Sequence, residues 1–206
     1  MSKLPTVAII GQANVGKSSL FNRLTRSRTA IVAREAGTTR DNVVGKVSYK
    51  RRNVDSTPSD DYSQFWLIDT AGLKTAEDEF EATIQDQIAD ASAAADVILV
   101  TVDSTVYPSD TDRQLAKKAL KSGKPVILIA NKADLKGSLS IDEFKRLGIK
   151  NIIKTSAEHS IGISELLDSI AELIPPATET APDDIIRVAL IGRPNVGKSN
   201  LFNTLA

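Results

Sequence analysis

Apolar and polar positions along the chain fall into two alternating patterns. Short, β-branched apolar runs occur at 6–10 (TVAII), 65–69 (FWLID), 96–103 (DVILVTVD), 125–131 (PVILIAN) and 151–157 (NIIKTSA). Runs without polar interruption predict strands buried on both faces, and the segments between them carry helical spacing. In GISELLDSIAELI (162–174), Ile163, Leu166, Leu167, Ile170, Leu173 and Ile174 recur every three or four residues. That stripe predicts a helix lying on a sheet, with Ser164 as its N-cap and the following Pro-Pro as its stop. SDTDRQLAKKALKSG (109–123) opens on capping residues and closes on Lys and Gly, predicting a second such helix. Strands alternating with helices predict an α/β fold, a mostly parallel sheet with helices on both faces.

One stretch breaks the alternation. Residues 42–50 (NVVGKVSYK) and 64–69 (QFWLID) read as two strands joined by the polar tract RRNVDSTPSDDYS at 51–63. A hairpin with a long solvated turn is expected there, with Trp66 as a packing residue of the hairpin.

The pattern also repeats. Residues 7–24 (VAIIGQANVGKSSLFNRL) and 188–205 (VALIGRPNVGKSNLFNTL) are identical at thirteen of eighteen positions without a gap. Between them, PPATETAPDD (175–184) is rich in proline and acid and has no apolar period, which predicts a stiff, extended linker. The expected organisation is a complete domain over 1–174, a linker over 175–184, and at 185–206 the truncated start of a second domain. A strand, a loop and one helix are too few to bury a core, so this last segment is expected to be labile.

Composition narrows the partners. The 26 basic and 26 acidic residues cancel, so there is no bulk basic field, and any nucleic-acid contact has to come from local patches. The absence of cysteine excludes disulfides and thiolate metal sites and suits a reducing cytoplasm. The apolar run after the N-terminus is too short for a signal peptide, and nothing suggests a membrane span.

Candidate chemistry begins with GQANVGKS. It follows a predicted strand and opens a helix, the context of a phosphate-binding loop. Gly11 and Gly16 let the backbone N–H groups of Gln12, Ala13, Asn14, Val15 and Lys17 turn inward around a phosphate chain at a helix N-terminus. Lys17 is expected to reach the β and γ phosphates and Ser18, followed by Ser19, to ligate Mg²⁺. In the second copy, Gly192, Asn195, Gly197, Lys198 and Ser199 occupy the matching positions.

The loop indicates a nucleotide; the base is indicated elsewhere. NKAD (131–134) ends a predicted strand, and the Asp134 carboxylate can accept from both N1–H and the 2-amino group of guanine, a pair that adenine lacks. Asn131 and the stem of Lys132 are expected to brace the loop and cover the base. Ser156 and Ala157, in TSA at another strand end, fit a backbone contact to guanine O6. Asp69, Thr70, Ala71, Gly72 and Leu73 end the strand FWLID. There Asp69 can hold Mg²⁺ through water, and the Gly72 N–H can touch the γ phosphate. In AGTTRD (36–41), Thr39 is favoured over Thr38 to complete the Mg²⁺ shell.

These four boxes, in this order, resemble those of translation-factor-related GTPases, and GxxNVGKSxLFN resembles their Era and TrmE branch. Two copies in tandem around a short acidic linker resemble the double-Era family, EngA or Der. The resemblance implies a P-loop GTPase domain that turns GTP into GDP and phosphate. It further implies a role in assembly of the large ribosomal subunit, the ribosome or its precursor as partner, and a KH-like domain after the second GTPase domain.

Leu73 stands where many such switches carry a glutamine that orients water. Leucine cannot hydrogen-bond, so slow intrinsic turnover is expected. Relatives with this replacement and an asparagine in the phosphate loop are thought to use potassium, and the resemblance implies that Asn14 helps hold K⁺; the plainer alternative is that it braces the loop. Arg34 and Arg40 are read as solvated or RNA-facing, and His159 as a surface residue. Residues 33–41 and 73–83 are the candidate switch segments. Two other readings stay open, a slow GTP-dependent clamp on ribosomal RNA or protein and a TrmE-like tRNA-modification GTPase, the latter disfavoured by the tandem repeat.

Overall fold

The computed structural model describes residues 4–26, 32–33, 43–52, 58–69, 93 and 95–174. One compact unit spans Lys3–Ala177. The predicted linker over 175–184 and segment over 185–206, including Gly192, Asn195, Gly197, Lys198 and Ser199, lie outside the described residues.

The described elements are β1 (Thr6–Gly11), α1 (Lys17–Arg26), β2 (Val32–Ala33), β3 (Val43–Arg52), β4 (Pro58–Asp69) and β5 (Val97–Asp103). After these come α2 (Asp110–Lys121), β6 (Val126–Asn131), the short α3 (Ile141–Phe144), β7 (Asn151–Lys154) and α4 (Ile163–Leu173). The strands form one seven-stranded sheet in the order β2-β3-β4-β1-β5-β6-β7. From β4 to β7 every pairing is parallel, and β3 runs antiparallel to both β2 and β4. The expected doubly covered α/β sheet is present.

Its two cores follow from the two-residue period of extended chain. Val7 and Ile9 of β1, Val97 and Leu99 of β5, and Ile127 and Ile129 of β6 face one layer, where Leu20, Phe21 and Leu24 of α1 and Leu166, Leu167 and Ile170 of α4 pack. Ala8 and Ile10, Ile98 and Val100, and Leu128 and Ala130 face the other, against Leu115, Ala116 and Ala119 of α2 and Phe144 of α3. Each fully buried Leu or Ile contributes about 1.5–3 kcal/mol. This double coverage is why the strands read as continuous apolar runs rather than alternating ones.

Three expectations need correction. The tract over 51–63 is mostly strand: β3 continues to Arg52 and β4 begins at Pro58, with Lys50 opposite Tyr62 and Arg52 opposite Pro58, leaving only 53–57 outside the described residues. Polar composition signals exposure, whereas an antiparallel ladder needs only backbone groups, so the ribbon extends past its apolar half. Secondly, Ser164 lies inside α4 and is not its N-cap. Gly162 holds that position with φ of 68° and no side-chain cap, and any Cβ there would run into the Lys154 carbonyl. Thirdly, Leu173 does not belong to the buried stripe; it is 37% exposed, while Ile174 just beyond the helix is buried. Trp66 is half-buried in the hairpin, opposite Lys46.

A capping box starts α2. Ser109 Oγ accepts from the Asp112 N–H at 3.2 Å, and Asp112 Oδ2 accepts from the Ser109 N–H at 2.9 Å. Tyr49 of β3 donates to Asp168 Oδ1 of α4 at 2.8 Å, fastening the hairpin to the helical layer.

Candidate nucleotide site

Gly11, Asp69, Asp103 and Asn131 end β1, β4, β5 and β6, and Thr155 follows the last residue of β7. Parallel strands bring all five to one edge of the sheet. In open α/β sheets ligands bind at that carboxyl edge.

The phosphate loop turns from β1 into α1. Asn14 has φ of 64° and Gly16 has φ of 93°. Asparagine tolerates the left-handed region better than most side chains. At Gly16 a Cβ would collide with the Asn131 amide, so glycine is required for contact with β6 as well as for the turn. The Asn14 side chain is exposed. Ala13, Ser18 and Ser19 are also exposed, whereas Val15 is buried beneath the loop.

Lys17 begins α1 and is buried. Its ammonium donates to the carbonyls of Gly11 at 2.9 Å and Gln12 at 2.5 Å. Burial pulls its pKa below the ordinary 10.5, opposed by the nearby Asp69 carboxylate. Ser18 Oγ donates to Asp69 Oδ2 at 3.1 Å, so two hard oxygen donors from different boxes converge beside the loop. Such oxygens suit Mg²⁺. Gln12 Nε2 donates to Ser109 Oγ at 2.7 Å, linking the loop to the N-terminus of α2.

Asn131, 2% exposed, joins the phosphate and base boxes. Its Nδ2 donates to the Val15 carbonyl at 3.0 Å. Its Oδ1 accepts from Thr155 Oγ1 at 3.1 Å and from the Ala157 N–H at 3.2 Å. Asn131 thus makes three bonds, to Val15, Thr155 and Ala157.

Lys132 has φ of 65°, and its ammonium lies 2.6 Å from Asp103 Oδ2. Burial raises the Asp103 pKa, but the hydrogen bonds from Lys132 and Thr105 and the Lys132 charge outweigh it, leaving the carboxyl below its ordinary value. The hydrogen bond from Ser156 holds the Asp134 carboxyl below the usual range, and His159 adds to that. His159 is a surface residue with its side chain 59% exposed, yet its Nε2 is 3.5 Å from Asp134 Oδ2. Its N–H donates to Ser156 Oγ at 3.1 Å.

Two contributors carry no motif in the sequence. Asp103 stands outside the four boxes although it ends a predicted strand at the same edge. Arg23 of α1 donates through Nε to the Ala157 carbonyl and through a terminal nitrogen to the Glu158 carbonyl, each at 2.6 Å. No local pattern marks Arg23, because its partners lie over 130 positions away. Thr39, Thr70, Ala71, Gly72, Leu73, Arg34 and Arg40 lie outside the described residues, as do most of the candidate switch segments.

Known proteins resemble both the sequence and this geometry. The chain is 42% identical over 205 residues to GTPase Der of Gemmatimonas aurantiaca, a match covering 98% of this chain and 44% of that protein. It is 40% identical over 203 residues to GTPase Der of Moorella thermoacetica, again covering 98% and 44%. The chain thus spans less than half the length of these relatives. Among solved structures, Era of Aquifex aeolicus bound to GDP.AlF4⁻ superposes with a TM-score of 0.64 at 28% identity, covering 91% of this chain and 62% of that one. The G domain of the T. maritima FeoB iron transporter superposes with a TM-score of 0.58 at 26% identity, covering 83% of this chain and 99% of that one. The family model for 50S ribosome-binding GTPases matches residues 6–132 and, a second time, 187–206. With most of its length under that model, and with phosphate loop and base box joined through Asn131, the chain belongs to the family of 50S ribosome-binding GTPases.

Proposed function

We propose that the chain binds GTP with Mg²⁺, hydrolyses it to GDP and phosphate, and serves as a nucleotide switch in biogenesis of the large ribosomal subunit in the cytoplasm. The observation that carries this reading is the Asn131 junction, which ties the candidate phosphate loop to the candidate guanine box through bonds to Val15, Thr155 and Ala157. Electrostatic stabilisation of phosphoryl transfer depends on such preorganised donors.

Lys17 serves the β and γ phosphates. Its ammonium is already oriented by two loop carbonyls, and burial strengthens its pull on an anion. The N–H groups from Gln12 to Ser19 cradle the phosphate chain, and the Gly72 N–H meets the γ phosphate. Asp134 reads N1–H and the 2-amino group of guanine, while Ser156 and Ala157 stand at the strand end that would serve O6, the Ala157 N–H turning from Asn131 Oδ1 to the base when it is bound. Lys132, held by Asp103, covers the base. Ser18 and Thr39 would ligate Mg²⁺ directly and Asp69 through water, with Thr70 and Ala71 shaping that strand end; when bound, the ion would supply neutralisation of phosphate charge. Asn14, exposed in the phosphate loop, would offer its side-chain oxygen to K⁺, a charge that offsets the lack of a water-orienting side chain at Leu73. In the second copy, Gly192, Asn195, Gly197, Lys198 and Ser199 have the equivalent phosphate-binding role. The ribosome or a large-subunit precursor is the partner of the switch.

Phosphate release from GTP, measured at equal ionic strength in potassium and in sodium, tests the reading. Potassium stimulation that disappears in Asn14→Ala is expected. Equal, negligible release in both salts would replace the hydrolytic switch with a GTP-dependent clamp, which the hydrophobic Leu73 favours as the second reading.

A further inference from the structure

The chain carries no net charge, yet its charges are unevenly placed. Residues 117–124 hold Lys117, Lys118, Lys121 and Lys124, residues 145–151 hold Lys145, Arg146 and Lys150, and neither segment contains an acid. That concentrates seven positive charges in fifteen residues. The fold then joins the two segments. The end of α2 and the turn before β7 flank one shallow groove of about 290 Å³, lined by Leu120, Val126, Ile149, Lys150 and Leu173.

Most of this charge is unpaired. Lys145 pairs with Asp142 at 2.7 Å and Arg146 with Glu143 at 3.6 Å, both short-range pairs whose cations are exposed. Lys117, Lys118, Lys121, Lys124 and Lys150 have no ion pair among the described residues, and Glu172 is the exposed acid next to Leu173. The groove lies at the amino ends of β6 and β7, whereas the base box lies at their carboxyl ends. Six residues of strand separate the two by roughly 17 Å.

We propose that the lysines about this groove, Lys150 in its lining and Lys121 and Lys124 next in the chain to its lining residues Leu120 and Pro125, dock the phosphate backbone of structured RNA. Lys117 and Lys121 stand about 6 Å apart along the helix, on the same face, a repeat suited to successive phosphates. Protein partners usually require aromatic or arginine anchors at the centre of a patch, and single-stranded nucleic acid requires stacking aromatics; the groove lining has neither. What remains is shape and phosphate recognition, the mode by which proteins hold RNA helices. This adds a contact surface to the ribosome-partner reading without relying on nucleotide chemistry.

The test is fluorescence anisotropy of a labelled RNA hairpin with the whole chain across a KCl series. The wild type is compared with the triple variant Lys121→Glu, Lys124→Glu, Lys150→Glu and with a milder version carrying Gln at the same three positions. Arg113→Glu, at the other end of α2, is the control, and GTP affinity is measured in parallel to report the nucleotide site separately. Each lost phosphate contact lowers the slope of log affinity against log salt by roughly 0.7–0.9. The Glu variant should bind about tenfold or more weakly, the Gln variant should show a slope shallower by about two, and GTP affinity should be unchanged. The proposal is overturned if the wild type does not bind the hairpin, if both variants bind within about twofold of it, or if Arg113→Glu weakens binding as much.

Discussion

Asn131 Nδ2 donates to the Val15 carbonyl at 3.0 Å, across 116 positions of sequence. One buried amide thereby sets the distance between the segment that should hold phosphates and the segment that should hold a base. Its other end receives Thr155 Oγ1 and the Ala157 N–H. Removing it strands a buried carbonyl, a hydroxyl and a backbone N–H together.

Asn131→Ala is therefore expected to weaken GTP and GDP alike. Leaving buried polar groups without partners costs about 1–3 kcal/mol each, with partial relief by water. A net loss of about 2–4 kcal/mol corresponds to roughly 30- to 1,000-fold in affinity. Calorimetric titration with both nucleotides checks this, and a lower melting temperature of the free protein should accompany it. A loss confined to GTP would show that Asn131 acts on the γ phosphate rather than on the scaffold.

Asp103 supports a pH prediction. Its carboxyl lies below the ordinary 3.8 because the Lys132 and Thr105 bonds outweigh burial. A depressed folded-state pKa contributes stability that is present above 3.8 and lost as pH falls through the lower folded value. Between pH 5 and 8 the Asp103–Lys132 contribution should be constant. As a partly exposed pair it contributes about 0.2–1 kcal/mol. In denaturant melts the wild type and Asp103→Asn should differ by that amount at pH 7, and the gap should narrow progressively as pH falls below 3.8. A difference that grows on acidification would reverse the sign and reject the assignment.

The legible parts of this fold are those whose physics is local. Continuous apolar runs announced doubly covered strands, and the period of Leu166, Leu167 and Ile170 announced α4. Boxes at strand ends announced where chemistry gathers, because parallel strands must bring their carboxyl ends together. Illegible features depended on distant partners or on the backbone alone. Arg23 reaches Ala157 and Glu158 only once α1 and the base loop lie side by side. The ladder through Lys50 and Tyr62 has no apolar signature. The start of α4 is set by the positive φ of Gly162 rather than by the hydroxyl of Ser164. The strand-end position of Asn131 suggests a brace, but its acceptor, the Val15 carbonyl, is set by the packing of β6 beside Gly16.

The base assignment makes the last prediction. The Asp134 carboxylate is held below the usual range by Ser156, so it is ionised and purely an acceptor near neutral pH. Guanine offers two donors, N1–H and the 2-amino group, to such an acceptor. Xanthine replaces the amino group with a carbonyl, which a carboxylate repels and an amide N–H can meet. In Asp134→Asn, guanine loses one charge-assisted bond outright and keeps a weaker one, a cost of about 3 kcal/mol or roughly 150-fold. Xanthosine nucleotides gain in the same variant, so the order of preference should invert. Competition between GTP and XTP for wild type and variant measures the inversion in one assay. A variant that still preferred GTP would place guanine recognition outside the Asp134 carboxylate.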